Sequence, residues 1–303
     1  MNQIIQNRSE ILFLYDIENA NPNGDPLNEN RPRFDTEDST VLVTDVRLKR
    51  TIRDYWYEYK GFNGTDNKDV FVRETKYDEG EKEYIKDAKR RAKDFNEKVE
   101  EILKICIDIR VFGGVIPLKN DSITRIGPVQ FQMGRSLNKT EIIEEQGTGA
   151  FASGEKKTQA TFRTEYKVPY AIIGFNGIIN EKTAQYSKMT QQDKELLIEG
   201  IWEGTKSLIS RSKFGQTPLF LLVIDYKIPF YIGNLRQRLK LDTGQINQMQ
   251  IRTVNDYKID LTEIIEELKN NKDKIDKIEL ITDNRLQMIC KGKKITNISK
   301  DEL

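Results

Sequence analysis

A chain of 303 residues can bury a substantial core, and 32% charged against 37% hydrophobic residues is the balance of a polar globular protein. Its 49 basic and 48 acidic side chains leave a formal charge of +1, so nucleic-acid binding must rest on local basic surfaces rather than on a global field. Histidine is absent, which removes imidazole-activated nucleophiles and the commonest zinc ligand but leaves a carboxylate-bound Mg²⁺ nuclease open.

The opening MNQIIQNRSEILFLYD lacks the basic lead, apolar run and small-residue site of a secretory leader, and no window has the length and apolarity of a membrane span. Cys106 and Cys290 are too scattered for a disulfide framework, so a cytoplasmic location is expected. Without a leader, the terminal KDEL reads as a chance match in a Lys/Asp/Glu-rich tail.

EILFLYDI, 10–17, predicts a buried strand that runs into ENANPNGDPLNENRPRFD, 18–35. In that loop Pro22, Pro26 and Pro32 stiffen the backbone and Gly24 permits a tight turn. Asn19, Asn21, Asn23 and Asp25 suit bonds back to nearby amides, which makes a self-capped turn; the alternative is that exposed Asn groups hold a phosphate or base edge. Asp25 and Asp35 as metal ligands form a third reading, with no further carboxylates at defined spacing.

A short strand is expected at 41–43, then a helix over 45–59 capped by Thr44. Leu48, Ile52, Tyr55 and Tyr59 make its apolar stripe, and Arg47, Lys49, Arg50 and Arg53 spread over the remaining surface, poised for phosphate or simply solvated. Residues 61–80 read as an exposed excursion and 82–104 as a charged helix, whose Lys86, Lys89, Arg90, Arg91 and Lys93 face solvent. KICIDIRVFGG, 104–114, predicts a core strand closed by Gly113 and Gly114.

A strand over 122–136 would place Arg125, Gln130 and Gln132 on related faces, opposite Val129 and Phe131, with Arg135 close by. Residues 144–162 form a Gly-rich loop or hairpin insertion, in which Phe151, Phe162 and Lys156–Lys157 could stack on bases and contact phosphates or pack on their own domain. Strands follow at 166–180 and 218–227, separated by an amphipathic helix over 192–210 with Leu197, Ile201 and Leu208 inward. The tail offers a helix at 261–270 and strands at 275–282 and 285–291. No phosphate-loop motif and no fixed-period repeat are present. Together these predict a single α+β domain, 1–303, with a ferredoxin-like βαββαβ order among the compatible topologies.

NANPNGDPLNENRPRFD, VTDVRLKRTIRDY, VFGG, GPVQFQMGRS, SRSKFGQTPLFLLVIDY and YIGNL together resemble the backbone subunit of type I CRISPR Cascade complexes, subtype I-B branch, a relative of the I-C subunit. The resemblance covers roughly residues 10–240. It implies a modified RRM-like palm with a fingers-like insertion, by position 57–104, and a thumb-like hairpin, 137–163. It further implies a non-catalytic protein without cofactors that polymerises along a CRISPR guide RNA and presents the spacer to target DNA. Its partners would be its own copies, other Cascade subunits and a recruited helicase-nuclease. Arg47, Lys49, Arg50 and Arg53 would then touch the guide backbone; Asn23, Gly24 and Asn30 would shape the groove. Arg125, Gln130 and Arg135 would add contacts, with Phe151 and Lys156 acting at the thumb. Were catalysis present instead, as in an Mg²⁺-dependent RNA nuclease, Asp16, Asp25 and Asp35 would carry it. An RNA-independent structural protein is the other alternative.

Overall fold

Strand β1 (Ser9–Ala20) carries apolar side chains on both faces, and the structure uses both. The computed structural model describes residues 3–117, 122–148 and 162–301. Along the chain, β1 is followed by β2 (Thr40–Val43), α1 (Asp45–Tyr59), β3 (Val129–Phe131) and β4 (Gly134–Ser136). Then come β5 (Phe162–Ile179), α2 (Gln191–Lys206), β6 (Gln216–Tyr226), α3 (Thr262–Asn270) and β7 (Ile275–Thr282). Pairing is antiparallel throughout the main sheet, in the order β7-β6-β1-β5-β4-β2, and β3 also pairs with β5. The β1-α1-β3/β4-β5-α2-β6 path with β6 and β5 flanking β1 is the βαββαβ arrangement that the sequence allowed.

Ile11, Phe13, Tyr15 and Ile17 face α1 and α2 in one apolar layer with Trp56, Phe175, Leu197 and Ile201. Leu12 and Leu14 face the other way with Tyr170 of β5 and Leu222 of β6, into a layer completed by Ile259, Ile264 and Met288 from the C-terminal segment. Each large side chain so enclosed contributes about 1.5–3 kcal/mol. The two helices approach closely because α2 presents glycine to α1. A Cβ on Gly200 would lie 3.0 Å from Ile52 Cγ2, and one on Gly204 would lie 3.1 Å from Tyr55 Cβ. Trp56 Nε1 donates to the Leu196 carbonyl across this contact at 2.9 Å. Thr44 caps α1 by accepting from Arg47 N, and a Thr190–Asp193 capping box starts α2.

Several expectations are corrected. Residues 82–104 are not one helix: Lys82–Ile85 pairs with Lys76–Glu79, and two short helices follow, Ala88–Lys93 and Val99–Ile105. Asn96 and Glu97 break the run with left-handed φ of 56° and 55°. Arg91 is buried among Asp69, Phe71 and Phe95 rather than solvated. The segment 61–80 is only partly exposed, since Phe62, Val70 and Phe71 are buried. Ile107–Phe112 is a helix, and the strand begins only at Gly113. Its β-branched run favours a strand locally, but tertiary demand wins: Asp108, fully buried, accepts from Phe71 N at 2.7 Å, Val72 N at 3.0 Å and Arg53 Nε at 3.0 Å. Residues 122–136 divide into three strands, and the first, Ser122–Ile126, pairs with Gly113–Pro117 outside the main sheet. The apolar stripe of α1 is Leu48, Ile52, Tyr55 and Trp56; Tyr59 is 57% exposed.

Two consequences can be measured. Asp108→Ala leaves the Arg53 guanidinium buried without its carboxylate and should cost about 3–5 kcal/mol in urea unfolding, whereas Asp87→Ala at an exposed cap should cost about 1 kcal/mol. The second concerns Asp16, which is buried and accepts from Tyr170 Oη at 2.9 Å. Burial outweighs that bond and the field of Arg285, pushing its pKa from 3.8 up to about 6. Between these values the folded state holds the proton more tightly, so this group's contribution to stability falls as pH rises from about 4 to about 6. Asp16→Asn lacks that slope; its stability relative to wild type should therefore rise across the window, by at most about 1.4 kcal/mol per pH unit. A flat difference in melting experiments would refute the assignment.

Candidate nucleic-acid interface

The chain leaves β1 through a loop whose polar side chains are largely spent on fixing its own path. Gly24–Asp25 pairs with Arg31–Pro32 in a small ribbon. Asn21, 3% exposed, donates from Nδ2 to the Asn30 carbonyl at 2.6 Å. Asn23 Oδ1 accepts from Thr44 N at 2.8 Å and Thr44 Oγ1 at 2.9 Å, tying the loop to the residue that caps α1. Asn30 adopts a left-handed φ of 57°, and its carboxamide crowds Gly24 so closely that a Cβ there would meet Oδ1 at 1.9 Å. Asp25 accepts from Leu27 N and from Arg33 Nη2, both at 3.3 Å. The self-capped reading of this loop therefore describes Asn21, Asn23 and Asp25, and the loop stands as a rigid wall beside the first turn of α1.

The four cations of α1 do not form one outward face. Arg53 is 9% exposed, paired with Asp108 and placed over the Phe112 ring at 5.0 Å. It flanks the Ile52–Trp56 stripe, and the segment carrying Asp108 closes over that flank. Arg50 is bonded to Asp54 and to the Val72 carbonyl, the latter at 2.7 Å. Lys49 reaches Asp45 at 2.9 Å and Gln130 Oε1 at 3.4 Å. Arg47 differs: half-buried, it pairs with no carboxylate, and its buried Nε has no hydrogen-bond partner among the described residues. Burial pulls its pKa down, with the Arg50 charge acting in the same direction.

Nothing in the spacing of the sequence joins Arg47 to Lys213, yet the fold does. The turn at 210–215 is stitched to the end of β1, with Asn21 N donating to the Ser212 carbonyl and Lys213 Nζ donating to the Asn21 carbonyl, both at 2.8 Å. Burial and the positive charge of Arg47 lower the Lys213 pKa to about 8. Asn21, Asn23, Arg47 and Lys213 thus converge where β1 ends and α1 begins. The next residue, Phe214, is 69% exposed.

The remaining expected residues lie apart. Gln130 is exposed, donates to the Gly127 carbonyl at 2.9 Å and meets Lys49, so it borders α1. Arg125 sits on the separate hairpin with a buried, unpartnered Nε. Arg135 is bound by Asp35 at 2.8 Å and Asp38 at 3.1 Å. Its cross-strand partner Gly174 lies beneath Arg236, which no sequence motif marked; burial and Arg135 lower the Arg236 pKa. Arg31, also unmarked, stacks 4.1 Å over the Tyr166 ring. Phe151 and Lys156 lie outside the described residues. The three early carboxylates are dispersed onto Tyr170, Arg33 and Arg135, and no group of three acidic, Cys or His side chains that could hold a metal occurs among the described residues. No helix is long and apolar enough to cross a membrane among those residues.

Comparison with known proteins agrees with this architecture. Chains of two solved assemblies, "CRISPR RNA-guided surveillance complex, pre-nicking" and "CRISPR RNA-guided surveillance complex", share the fold, each with a TM-score of 0.54. Identity is 12% and 11%, and the superpositions cover 90% and 91% of this chain and 90% of each of the others. CRISPR-associated protein Cas7 of Haloferax volcanii is 32% identical over 313 residues, 93% of this chain and 88% of its own. The family model for CRISPR-associated protein Cas7 matches residues 7–262, spanning β1, the rigid loop, α1 and the 210–215 turn, and the chain belongs to that family.

Proposed function

We propose that this protein is a guide-RNA-binding backbone subunit of a type I Cascade, of the I-B branch, acting in the cytoplasm. The observation that carries the reading is the pair Arg47 and Lys213, two half-buried cations without a carboxylate partner among the described residues, held beside a hydrogen-bonded loop in a chain of net charge +1. Arg50 and Arg53 of α1 are neutralised within the molecule, so along this helix a polyanion gains most beside Arg47. A contact of this kind is blind to base sequence, as a subunit that coats any spacer requires.

In this reading the protein binds the guide along the groove between the 18–35 loop and α1, with Asn23, Gly24 and Asn30 setting the wall. Lys49, Arg50 and Gln130 border it, and Arg53 acts by holding α1 in place. Copies polymerise along the spacer and present it to target DNA, other Cascade subunits close the assembly, and a recruited helicase-nuclease degrades the target. The fingers-like insertion is assigned to 57–104, supported by the separate apolar cluster of Phe71, Phe95, Ile102 and Leu103. The thumb-like element is assigned to 137–163, supported by the pairing of Ile143–Thr148 with the first part of β5. Phe151 and Lys156 are the proposed contacts of that element.

Filter binding should show salt-dependent association with repeat-spacer RNAs of unrelated spacer sequence, and electron microscopy of the complex with its partner subunits should show an arched or helical multimer. Absence of RNA binding together with a monomeric state in that mixture would overturn the proposal. Incubation of target RNA with Mg²⁺ should give no sustained cleavage; cleavage that disappears in Asp25→Ala would establish the nuclease reading instead.

A further inference from the structure

Arg47 and Lys213 come from segments far apart in sequence, and the fold places both at the mouth of the loop. Each is half-buried, and neither is paired with a carboxylate among the described residues. Asp54, whose field reaches Arg47, is itself engaged by Arg50. Around Lys213 the polar neighbours are the Asn21 carbonyl, which takes one of its three donors, and Arg47. The two charges repel, and the depressed pKa of the lysine is the physical trace of that repulsion and of burial. At the same turn the Oδ1 of Asn21 is buried without a partner among the described residues. The buried Tyr15 hydroxyl is close enough to sense the Arg47 charge. A fold maintains unpaired like charges in partial burial at a cost of desolvation and repulsion, unless an anion sits between them.

We infer that Arg47 and Lys213 jointly seat a single phosphodiester of the bound RNA strand. The inference rests on the RNA-binding reading above and adds a second, sequence-distant cation and a stoichiometry of one phosphate. Arginine supplies a planar fork and lysine a point charge with free donors, so together they cover the two non-bridging oxygens from different sides. The lysine is delivered by a turn anchored to β1, and the arginine by the first turn of a helix whose cap is anchored to the same loop. The seat is therefore built by the fold rather than assembled from mobile surface side chains.

The test is anisotropy titration of a short single-stranded RNA at several salt concentrations, under conditions of one bound subunit. Wild type is compared with Arg47→Gln, Lys213→Gln, the double variant, Lys213→Arg and an exposed control, Lys89→Gln. Each Gln variant should weaken binding about tenfold, and Lys213→Arg should recover most of that loss. The double variant should flatten the slope of log K against log salt by about 0.7, the value for one single-strand phosphate. A change of about 1.4 would mean two separate phosphates and would overturn the shared seat, as would an unchanged slope in a protein that still binds RNA. If wild type itself binds no RNA, the functional reading fails and this inference with it. Melting curves matched to wild type exclude misfolding, and should a Gln variant melt early, the slope of Lys213→Arg, expected to equal that of wild type, decides.

Discussion

Leu12 and Leu14 point to one side of β1, Ile11, Phe13, Tyr15 and Ile17 to the other, and all are buried. A strand of that kind cannot lie at a surface or on a half-solvated sheet, so it requires a layer on each face and a paired neighbour on each edge. α1 and α2 supply one layer and the C-terminal segment the other, while β5 and β6 take the edges. With β1 enclosed in this way, the chain leaves it at Ala20. The polar loop must emerge there, beside the start of α1, and the candidate site follows from that geometry.

The near-neutral total charge takes on a different meaning in three dimensions. Acidic residues are not spread evenly against basic ones; they are consumed as specific partners. Asp108 holds Arg53, Asp69 holds Arg73 and Arg91, Asp193 holds Arg110, and Glu181 holds Arg8. These pairs orient loops and helices on the sheet and take their cations out of play for ligands. A small number of unpaired cations then sets the electrostatic character of one groove, with little long-range field from the rest.

Where local and tertiary preferences agree, the sequence could be read directly. α1 has its Thr44 cap, its stripe and a flanking turn in one stretch, and β1, β5 and β6 are continuous apolar runs, so their positions follow from periodicity, while the βαββαβ order is one of several topologies that periodicity allows. Ile107–Phe112 could not be read that way. Its β-branched residues prefer a strand, and the amides that Asp108 satisfies belong to Phe71 and Val72, out of reach of any local window. The cationic face of α1 was half legible for the same reason: spacing places Arg53 beside the stripe but cannot say that another segment covers it. Lys213 was invisible as a site residue because its neighbour in space is 166 positions earlier, Arg47. Its stretch SRSKFGQTP carried a family likeness without a role for this residue.

β5 runs without interruption for 18 residues. Its later part, from Val168 onward, pairs with β1 inside the sheet, while its first part pairs with Ile143–Thr148 and reaches the 18–35 loop through Tyr166 and Arg31. A single extended segment therefore links the hydrophobic core to the pairing with Ile143–Thr148 without a break in the strand. At about 3.4 Å per residue the strand carries its direction over a long span, and that direction follows the twist of the sheet. A displacement of that outer pairing is delivered to the middle of the hydrophobic core, next to the strand that leads into the 18–35 loop.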